Sequence, residues 1–305
     1  MLNIFPIGLG TSYSYGFRPS SQEIGQLLTT AYDNGVNFFD TAAMYGTEPE
    51  LGQYLPRANI VLATKGGMTR IDGVKVIDNL NIRRDCEASL RRLNTDVIDL
   101  YYLHRWDKVT PIEDIVGIMS DLVKEGKIRA IGLSEVSSAT IRRAHATHPI
   151  TAVQSEYSLW TKNNTLNTCQ ELDIKFIAFS PLARGFFGGV MQVERVTDLR
   201  HHMPRFTPEN YQLNLPLLKR VQQLADTENC TTAQISLAWL LTKNITPIPG
   251  TTDPQHILEN ITSVNIKLST KTIDDLNSLP SAIGERYNEQ MMKELDFCSK
   301  VSYNK

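Results

Sequence analysis

The sequence predicts an α/β fold in which parallel strands alternate with helices, on three observations. Short apolar runs recur along the chain, helical patterns lie between them, and polar or aromatic residues stand at or beside the carboxyl ends of most runs. Eight runs are the number that closes a barrel, and the carboxyl ends of barrel strands meet at one face. We therefore predict a (β/α)8 TIM barrel, with residues 1–305 as a single domain and a site at that face.

The eight predicted strands are short and mostly apolar. In chain order they cover residues 7–10, 36–40, 60–65, 97–103, 131–134, 151–154, 174–179 and 246–249. A doubly wound open sheet is the alternative, because it shows the same alternation of strands and helices. Against it, the early glycines Gly8, Gly10 and Gly16 lack the GxGxxG spacing of a dinucleotide-binding turn.

Helical patterns separate these strands. Residues 20–34 begin with Ser20 and Glu23 at capping-box spacing. Further helices are predicted at residues 79–93, at 110–126 with Thr110 as N-cap, and from Thr231 onward. Residues 181–210 show no clear periodicity, and loops of this length are usually functional lids or disordered segments.

Composition excludes several classes of protein. The formal charge is −2 and the pI about 6.3, so no general positive field favours nucleic acid or an anionic membrane. The four cysteines are scattered without a CxxC pair, which argues against a zinc site and a disulfide framework. No stretch approaches the ~20 apolar residues of a membrane span, and the amino terminus lacks the pattern of a signal peptide. We predict a cytoplasmic protein with no metal, nucleic-acid or membrane partner.

Four side chains near the ends of successive runs form a candidate catalytic site: Asp40, Tyr45, Lys65 and His104. A lysine at the end of a barrel strand is partly desolvated and needs a carboxylate partner, which Asp40 on the neighbouring strand can provide. At ~4 Å and an effective dielectric constant of about 20, an ammonium attracts a phenolate by ~4 kcal/mol. Lys65 would therefore favour proton donation by Tyr45 to a carbonyl oxygen, and His104 would orient that carbonyl by a hydrogen bond.

Several motifs in order give the chain a family resemblance. They are Phe39-Asp40-Thr41-Ala42 with Tyr45-Gly46, Ala63-Thr64-Lys65, Asp99-Leu100-Tyr101-Tyr102-Leu103-His104, Ile131-Gly132-Leu133-Ser134 and Phe179-Ser180-Pro181-Leu182. With these motifs the sequence resembles the aldo-keto reductases from about Gly8 to Leu279. Residues 130–161 resemble a microbial branch allied to pyridoxal reductases and potassium-channel β-like proteins.

The resemblance implies a (β/α)8 barrel in which Tyr45 is the general acid, Asp40 and Lys65 tune it, and His104 sets substrate orientation. Hydride would pass from a reduced nicotinamide to an aldehyde or ketone carbon. The cofactor-binding positions that it implies are Asp40, Ser134, Gln154, Phe179, Ser180, Leu182, Arg184, Gly185, Gly250, Thr251, Thr252, His256, Glu259 and Asn260. Tyr13 and Trp106 are assigned to the substrate pocket.

Two positions depart from the family pattern. Glu135 stands where many members carry asparagine, which puts that contact to the cofactor in doubt. No Lys or Arg occurs from Gly250 to Asn260, where the family usually pairs a cation with the 2′-phosphate of NADPH. Asp253 would repel that phosphate, although it is also well placed as an N-cap before Pro254. NADPH is the predicted cofactor by resemblance, and NADH is the alternative.

These features predict a cytoplasmic, NADPH-dependent reductase of small aldehydes and ketones, with aromatic aldehydes or pyridoxal as candidate substrates. A first alternative is a Schiff-base lyase or aldolase that uses Lys65 as nucleophile, which borohydride trapping on Lys65 would favour. A second is a nucleotide-binding regulatory subunit of the channel-β kind, which would bind nucleotide without turnover and recover a membrane partner. The complete set of Asp40, Tyr45, Lys65 and His104 favours turnover.

Overall fold

A computed structural model describes residues 3–13, 18–71, 74–189, 191 and 198–296. In these ranges the main sheet has eight strands that pair in parallel: β1 Leu9–Gly10, β2 Phe38–Asp40, β3 Val61–Gly66, β6 Leu100–Leu103, β7 Ile131–Ser134, β8 Ile150–Glu156, β9 Lys175–Phe179 and β10 Ile245–Pro247. Two further strands, β4 Met68–Ile71 and β5 Val74–Ile77, form an antiparallel hairpin. All eight predicted strands are confirmed, whereas the hairpin was not predicted.

The order of strands in the sheet follows their order in the chain. A doubly wound sheet reverses direction at a switch point, so that alternative is excluded. Backbone hydrogen bonds also join the two outer strands, since Gly8 N donates to Pro247 O at 2.9 Å and Gly10 N donates to Pro249 O at 3.3 Å. A Cβ at Gly10 would lie only 2.9 Å from Ile248 O, so glycine permits this close approach. The sheet is therefore curled, with its first and last strands adjacent.

Helices follow the strands and cover the sheet. They are α1 Ser21–Asp33, α2 Glu48–Tyr54, α3 Ile82–Arg92, α4 Ile112–Lys124, α5 Ser138–Thr147, α6 Thr165–Glu171, α7 Pro208–Thr227, α8 Thr232–Leu241, α9 Pro254–Thr262, α10 Thr270–Asn277 and α11 Glu289–Lys293. The predicted capping box of α1 is confirmed, and α8 also begins with a capping box, formed by Thr231 and Gln234. The predicted N-cap Thr110 is wrong: α4 has Pro111 at that position, and the Thr110 hydroxyl instead donates to Asp107 at 2.8 Å.

Other segments noted in the sequence are described only in part. The stretch predicted to lack periodicity contains short 3-10 helices at Ala183–Gly188, Leu199–His202 and Pro204–Phe206, while residues 190 and 192–197 lie outside the description. Gly16 and Cys298 lie outside it as well. Among the described residues no helix is both long and apolar enough to cross a membrane, and no cluster of three or more potential metal ligands occurs.

Candidate active site

A cleft of about 1040 Å³ opens at the carboxyl ends of the strands. Its volume is at the upper end of the range of about 300–1,000 Å³ that is usual for small-molecule sites. The cleft is lined by seventeen of the residues assigned to the site from the sequence: Tyr13, Asp40, Tyr45, His104, Ser134, Gln154, Phe179, Ser180, Leu182, Arg184, Gly185, Gly250, Thr251, Thr252, His256, Glu259 and Asn260. The barrel-like topology therefore brings together residues that are more than two hundred positions apart in sequence.

Asp40 and Lys65 form a buried ion pair beneath the cleft. The parallel register places both at the ends of neighbouring strands, β2 and β3. The Lys65 ammonium also donates to Thr41 O at 2.8 Å, and the Gln154 amide donates to the second Asp40 oxygen at 2.7 Å. Burial raises the pKa of Asp40, while Lys65 and Gln154 oppose that shift. These hydrogen bonds fix the positions of the ammonium and of the Gln154 amide.

Tyr45 lines the cleft next to this ion pair. It ends the short 3-10 helix Ala43–Tyr45, which stops at Gly46 with φ +71°, a left-handed conformation that suits glycine. The Lys65 nitrogen lies 5.0 Å from the centroid of the Tyr45 ring. The His104 ring packs edge-on against the same ring, with centroids 5.6 Å apart. The four candidate catalytic residues thus form one contiguous group.

His104 directly follows β6 and is buried. Its Nδ1 atom has no hydrogen-bond partner within the described part of the chain. Burial, followed by the charges of Arg105, Lys65 and Lys75, lowers the pKa of His104 well below its ordinary value. The imidazole is therefore neutral near pH 7 and has one ring N–H to donate.

We expect this neutral, buried histidine to make folding stability depend on pH. His104 takes up a proton below about pH 6.5 in the unfolded chain but not in the folded protein. The contribution of His104 to the free energy of unfolding therefore falls as the pH is lowered. For one proton, the free energy of unfolding changes by about 1.4 kcal/mol per pH unit. In denaturant unfolding between pH 7 and 5, the His104→Gln variant should lose stability less steeply than the wild type. Parallel curves for the two proteins would show that folding does not lower the pKa of His104.

The residues assigned to the nicotinamide surround the same part of the cleft. Ser134 and Gln154 are buried at the ends of the paired strands β7 and β8, and Phe179 is half-buried at the end of β9. The Ser134 hydroxyl accepts a hydrogen bond of 2.9 Å from the Arg105 guanidinium. These side chains are held in place by the strands that carry them.

The loop after β9 has an unusual backbone. Ser180, Ala183, Arg184 and Gly185 all have φ between +49° and +95°. Three of these are not glycine, and such residues occur with positive φ mainly where the surroundings impose it. Turns of this kind direct backbone N–H groups toward a common point and form binding sites for anions. The loop is therefore suited to a pyrophosphate.

Thr251, Thr252 and His256 lie at the amino terminus of α9, whereas Glu259 and Asn260, which match family positions at the adenine end, lie in its carboxyl-terminal half. Asp253 accepts a hydrogen bond from Gln255 N at 2.8 Å, so its interpretation as the N-cap is confirmed. Thr251 Oγ1 lies 3.2 Å from His256 Nδ1 and accepts from Asp253 N at 3.0 Å. Arg200, which the sequence did not assign to the site, also lines the cleft, and its guanidinium donates to Arg184 O at 3.1 Å.

Two assigned residues do not line the cleft. Lys65 is only 1% exposed and lies behind Tyr45. Trp106 is outside the lining, and its indole donates to Thr110 O at 2.8 Å. Trp106 does not contact the cleft, so the structure does not support its assignment to the substrate pocket.

A buried cluster of charges includes Arg184 of the loop after β9, and its pairing was not predicted from the sequence. Glu156 pairs with Arg184, with Arg286 at 3.2 Å and with Arg205 at 4.0 Å, while Glu135 pairs with Arg286 at 2.8 Å. Burial lowers the pKa of Arg205 to about 10. Glu135 is thus turned toward Arg286 and the backbone N–H of Glu156. Only the positions of Glu135 and Glu156 near strand ends could have indicated this cluster.

Comparisons with known proteins agree with this geometry. The family model described as "Aldo/keto reductase family" matches residues 6–280. "Probable aldo-keto reductase 1" from Glycine max is 41% identical over 289 residues, which cover 88% of this chain and 82% of that protein. A thermostable aldo-keto reductase solved in complex with the inhibitor epalrestat superposes with a TM-score of 0.72 at 28% identity, over 91% of this chain and 96% of that one.

A second solved structure shows likeness in fold. The glycerol dehydrogenase from Gluconobacter oxydans superposes with a TM-score of 0.81 at 22% identity, over 99% of this chain and 96% of that one. The resemblance inferred from the motifs is confirmed by the family match and the curated relative. The chain belongs to the aldo-keto reductase family and is an NAD(P)H-dependent oxidoreductase.

Proposed function

We propose that the protein reduces small aldehydes and ketones to alcohols, with NADPH as hydride donor and Tyr45 as general acid. The observation that carries this proposal is the convergence of four side chains at one end of the cleft. Lys65 is paired with Asp40, its nitrogen lies 5.0 Å from the Tyr45 ring centroid, and His104 packs 5.6 Å from that ring. A phenol beside a buried ammonium is favoured as a proton donor, because its anionic form is stabilised.

Each of these residues has a defined task in the proposed reaction. When bound, the reduced nicotinamide supplies hydride to the carbonyl carbon. His104, held neutral, donates a hydrogen bond that positions the carbonyl oxygen near Tyr45. Tyr45 gives its proton to that oxygen, and the Lys65 charge stabilises the phenolate that remains. Asp40 holds both Lys65 and the Gln154 amide, so it couples the acid to the cofactor side of the cleft.

The residues present fit a nicotinamide dinucleotide. The cleft is lined by Tyr45 and His104 as well as by His256 and Asn260, and its volume of about 1040 Å³ accommodates an extended ligand together with a small substrate. Ser134 and Gln154 would hold the carboxamide, and Phe179 would stack on the ring. The loop with positive φ at Ala183, Arg184 and Gly185 would hold the pyrophosphate.

Coenzyme preference tests the assignment of NADPH as the hydride donor. Thr251, Thr252, His256 and Arg200 are the donors in the cleft that could reach a 2′-phosphate. We expect fluorescence titration to give a Kd about tenfold lower for NADPH than for NADH, because one hydrogen bond to a charged group contributes about 1.5 kcal/mol. The His256→Ala variant should lose part of this difference, whereas Gln255→Ala, on the same helix but outside the cleft lining, should retain it. Equal or tighter binding of NADH would show that the absence of Lys and Arg from residues 250–260 decides coenzyme choice.

The same protein should then oxidise NADPH in the presence of a panel of small aldehydes. Nucleotide binding without turnover across that panel would instead favour a regulatory subunit. The Schiff-base alternative has little structural support, because Lys65 is 1% exposed, engaged by Asp40 and outside the lining of the cleft. A substrate carbonyl would have to displace Tyr45 to reach it.

We also infer that the sheet closes into a barrel. The hydrogen bonds from Gly8 to Pro247 and from Gly10 to Pro249 support closure of the sheet into a (β/α)8 barrel. We infer further that residues 1–305 form a single domain. A cytoplasmic location is part of the same proposal and is consistent with the free thiols of Cys86, Cys169 and Cys230.

A further inference from the structure

We propose that the Arg105 guanidinium makes the protein bind reduced nicotinamide coenzyme more tightly than oxidised coenzyme. This inference rests on the proposed function and deepens it, because it assigns a residue that sets the preferred redox state of the coenzyme. Its basis is the position of this cation, next to a residue proposed to hold the nicotinamide, and the uncharged nature of its hydrogen-bond partners. The reduced nicotinamide ring is neutral, whereas the oxidised ring carries one positive charge.

Arg105 follows His104 just beyond β6 and lines the cleft, with its side chain half-buried. One guanidinium nitrogen, Nη1, donates to His104 O at 2.7 Å and to Ser134 Oγ at 2.9 Å. The backbone is held as well, since the buried Asn79 amide donates to Arg105 O at 2.9 Å. These contacts fix the guanidinium between the ends of β6 and β7.

Both acceptors that bind the guanidinium are uncharged oxygens. Among residues 3–13, 18–71, 74–189, 191 and 198–296, no carboxylate forms an ion pair with Arg105. Two neighbouring cations differ in this respect, because Lys65 is paired with Asp40 and Lys75 with Glu294. The charges that lower the pKa of His104 are all positive, and that of Arg105 has the largest effect among them. The electrostatic potential beside His104 is therefore positive, and Arg105 contributes most to it.

Ser134 connects this cation with the proposed nicotinamide site. It is 1% exposed and lies at the end of β7. Its hydroxyl oxygen accepts from Arg105, so its own hydrogen remains available to the carboxamide oxygen of the coenzyme. One hydroxyl group would then separate the guanidinium from the carboxamide. A cationic ring bound there is repelled by Arg105, whereas a neutral ring is not.

This repulsion has a consequence for turnover. Two unit charges several ångströms apart in a partly exposed site change an affinity by roughly tenfold. The oxidised coenzyme that each reaction leaves behind therefore competes less with reduced coenzyme for the free protein. More of the protein is then loaded for carbonyl reduction when both forms of coenzyme are present.

Coenzyme binding in the absence of aldehyde tests this inference. Fluorescence titration gives the Kd of NADPH, and displacement of NADPH by NADP⁺ gives the Kd of NADP⁺. In the wild type we expect the Kd of NADP⁺ to exceed that of NADPH by about tenfold. NADH and NAD⁺ should give a similar ratio, because the charge changes on the nicotinamide ring in both pairs. Added salt should lower the ratio, because partly exposed charges are screened.

Two variants of Arg105 separate charge from structure. Arg105→Met should bring the ratio of the two Kd values close to one, whereas a purely structural loss would weaken both forms alike and keep the wild-type ratio. Arg105→Lys retains the charge and should keep most of the preference. Arg142→Met, on α5 outside the cleft lining, is the matched control and should keep the wild-type ratio.

Equal Kd values for the two forms in the wild type, or a ratio unchanged by Arg105→Met, would overturn the inference. A loss of preference as complete in Arg105→Lys as in Arg105→Met would also overturn it, because hydrogen-bond geometry rather than charge would then be responsible. These outcomes leave the proposed carbonyl reduction intact. If neither form of coenzyme bound, the proposed function would fail and this inference with it.

Discussion

The Tyr45→Phe variant is expected to lose nearly all carbonyl reduction while it still binds coenzyme. Removing the phenolic oxygen eliminates the proton donor, and general acid catalysis contributes about 10²- to 10⁴-fold to rates. We expect kcat to fall by that factor in a steady-state assay with NADPH and an aldehyde. The ring remains, so its contacts with Lys65 and His104 should persist.

Tyr54→Phe serves as the matched control for this experiment. Tyr54 lies in α2 with its ring against Gly25 and does not line the cleft, so this variant should reduce aldehydes at the wild-type rate. Fluorescence titration should give the same coenzyme Kd for Tyr45→Phe and wild type. A near-normal kcat for Tyr45→Phe would remove Tyr45 from the mechanism.

Replacing Lys65 with methionine should cost both stability and rate. Loss of one partner from a buried ion pair typically destabilises a protein by about 3–5 kcal/mol, because the remaining charge is left uncompensated. Asp40 is 2% exposed and would be that charge. Without Lys65, the pKa of Asp40, already raised by burial, should rise further. The folded variant would then bind a proton that the unfolded chain releases, so its deficit in stability should shrink as the pH is lowered.

The double variant Asp40→Asn/Lys65→Met separates charge from packing. It has no unpaired carboxylate at this position, so its free energy of unfolding should lie closer to wild type than that of Lys65→Met. Denaturant unfolding of wild type, Asp40→Asn, Lys65→Met and the double variant measures the coupling energy between the two residues. If Lys65→Met were as stable as wild type at pH 8, the buried ion pair would have no part in holding the site together.

Much of the fold could be predicted from the sequence because its signals are local. Each strand is an apolar run of a few residues, and α1 and α8 begin with capping boxes that can be read within four positions. The candidate site could be predicted for a related reason. Parallel strands of a barrel place their carboxyl ends at one face, so residues such as Lys65 and His104 are expected to meet once the strands are identified.

What could not be predicted depends on contacts between distant segments. The β4–β5 hairpin was missed although Asp72-Gly73 between its strands is a typical hairpin signal, whereas the ion pair of Lys75 with Glu294, 219 positions away, could not be predicted. The buried cluster of Glu135, Glu156 and Arg286 likewise connects two strand ends to residues near the carboxyl terminus. Charges of this kind usually indicate solvated surface in a sequence, and only the tertiary fold shows which of them are paired and buried.

The central claim is that the buried Lys65 acts on the reaction through the Tyr45 phenol, and a double-mutant cycle on hydride transfer tests it most directly. The measurement is the single-turnover rate of NADPH oxidation at saturating aldehyde in wild type, Lys65→Met, Tyr45→Phe and the double variant. Circular dichroism would establish that each is folded at the assay temperature. Residues that act as a unit are strongly non-additive, so the double variant should be no slower than Tyr45→Phe within a few-fold. Losses that multiply in the double variant would contradict the account, because Lys65 would then act independently of Tyr45.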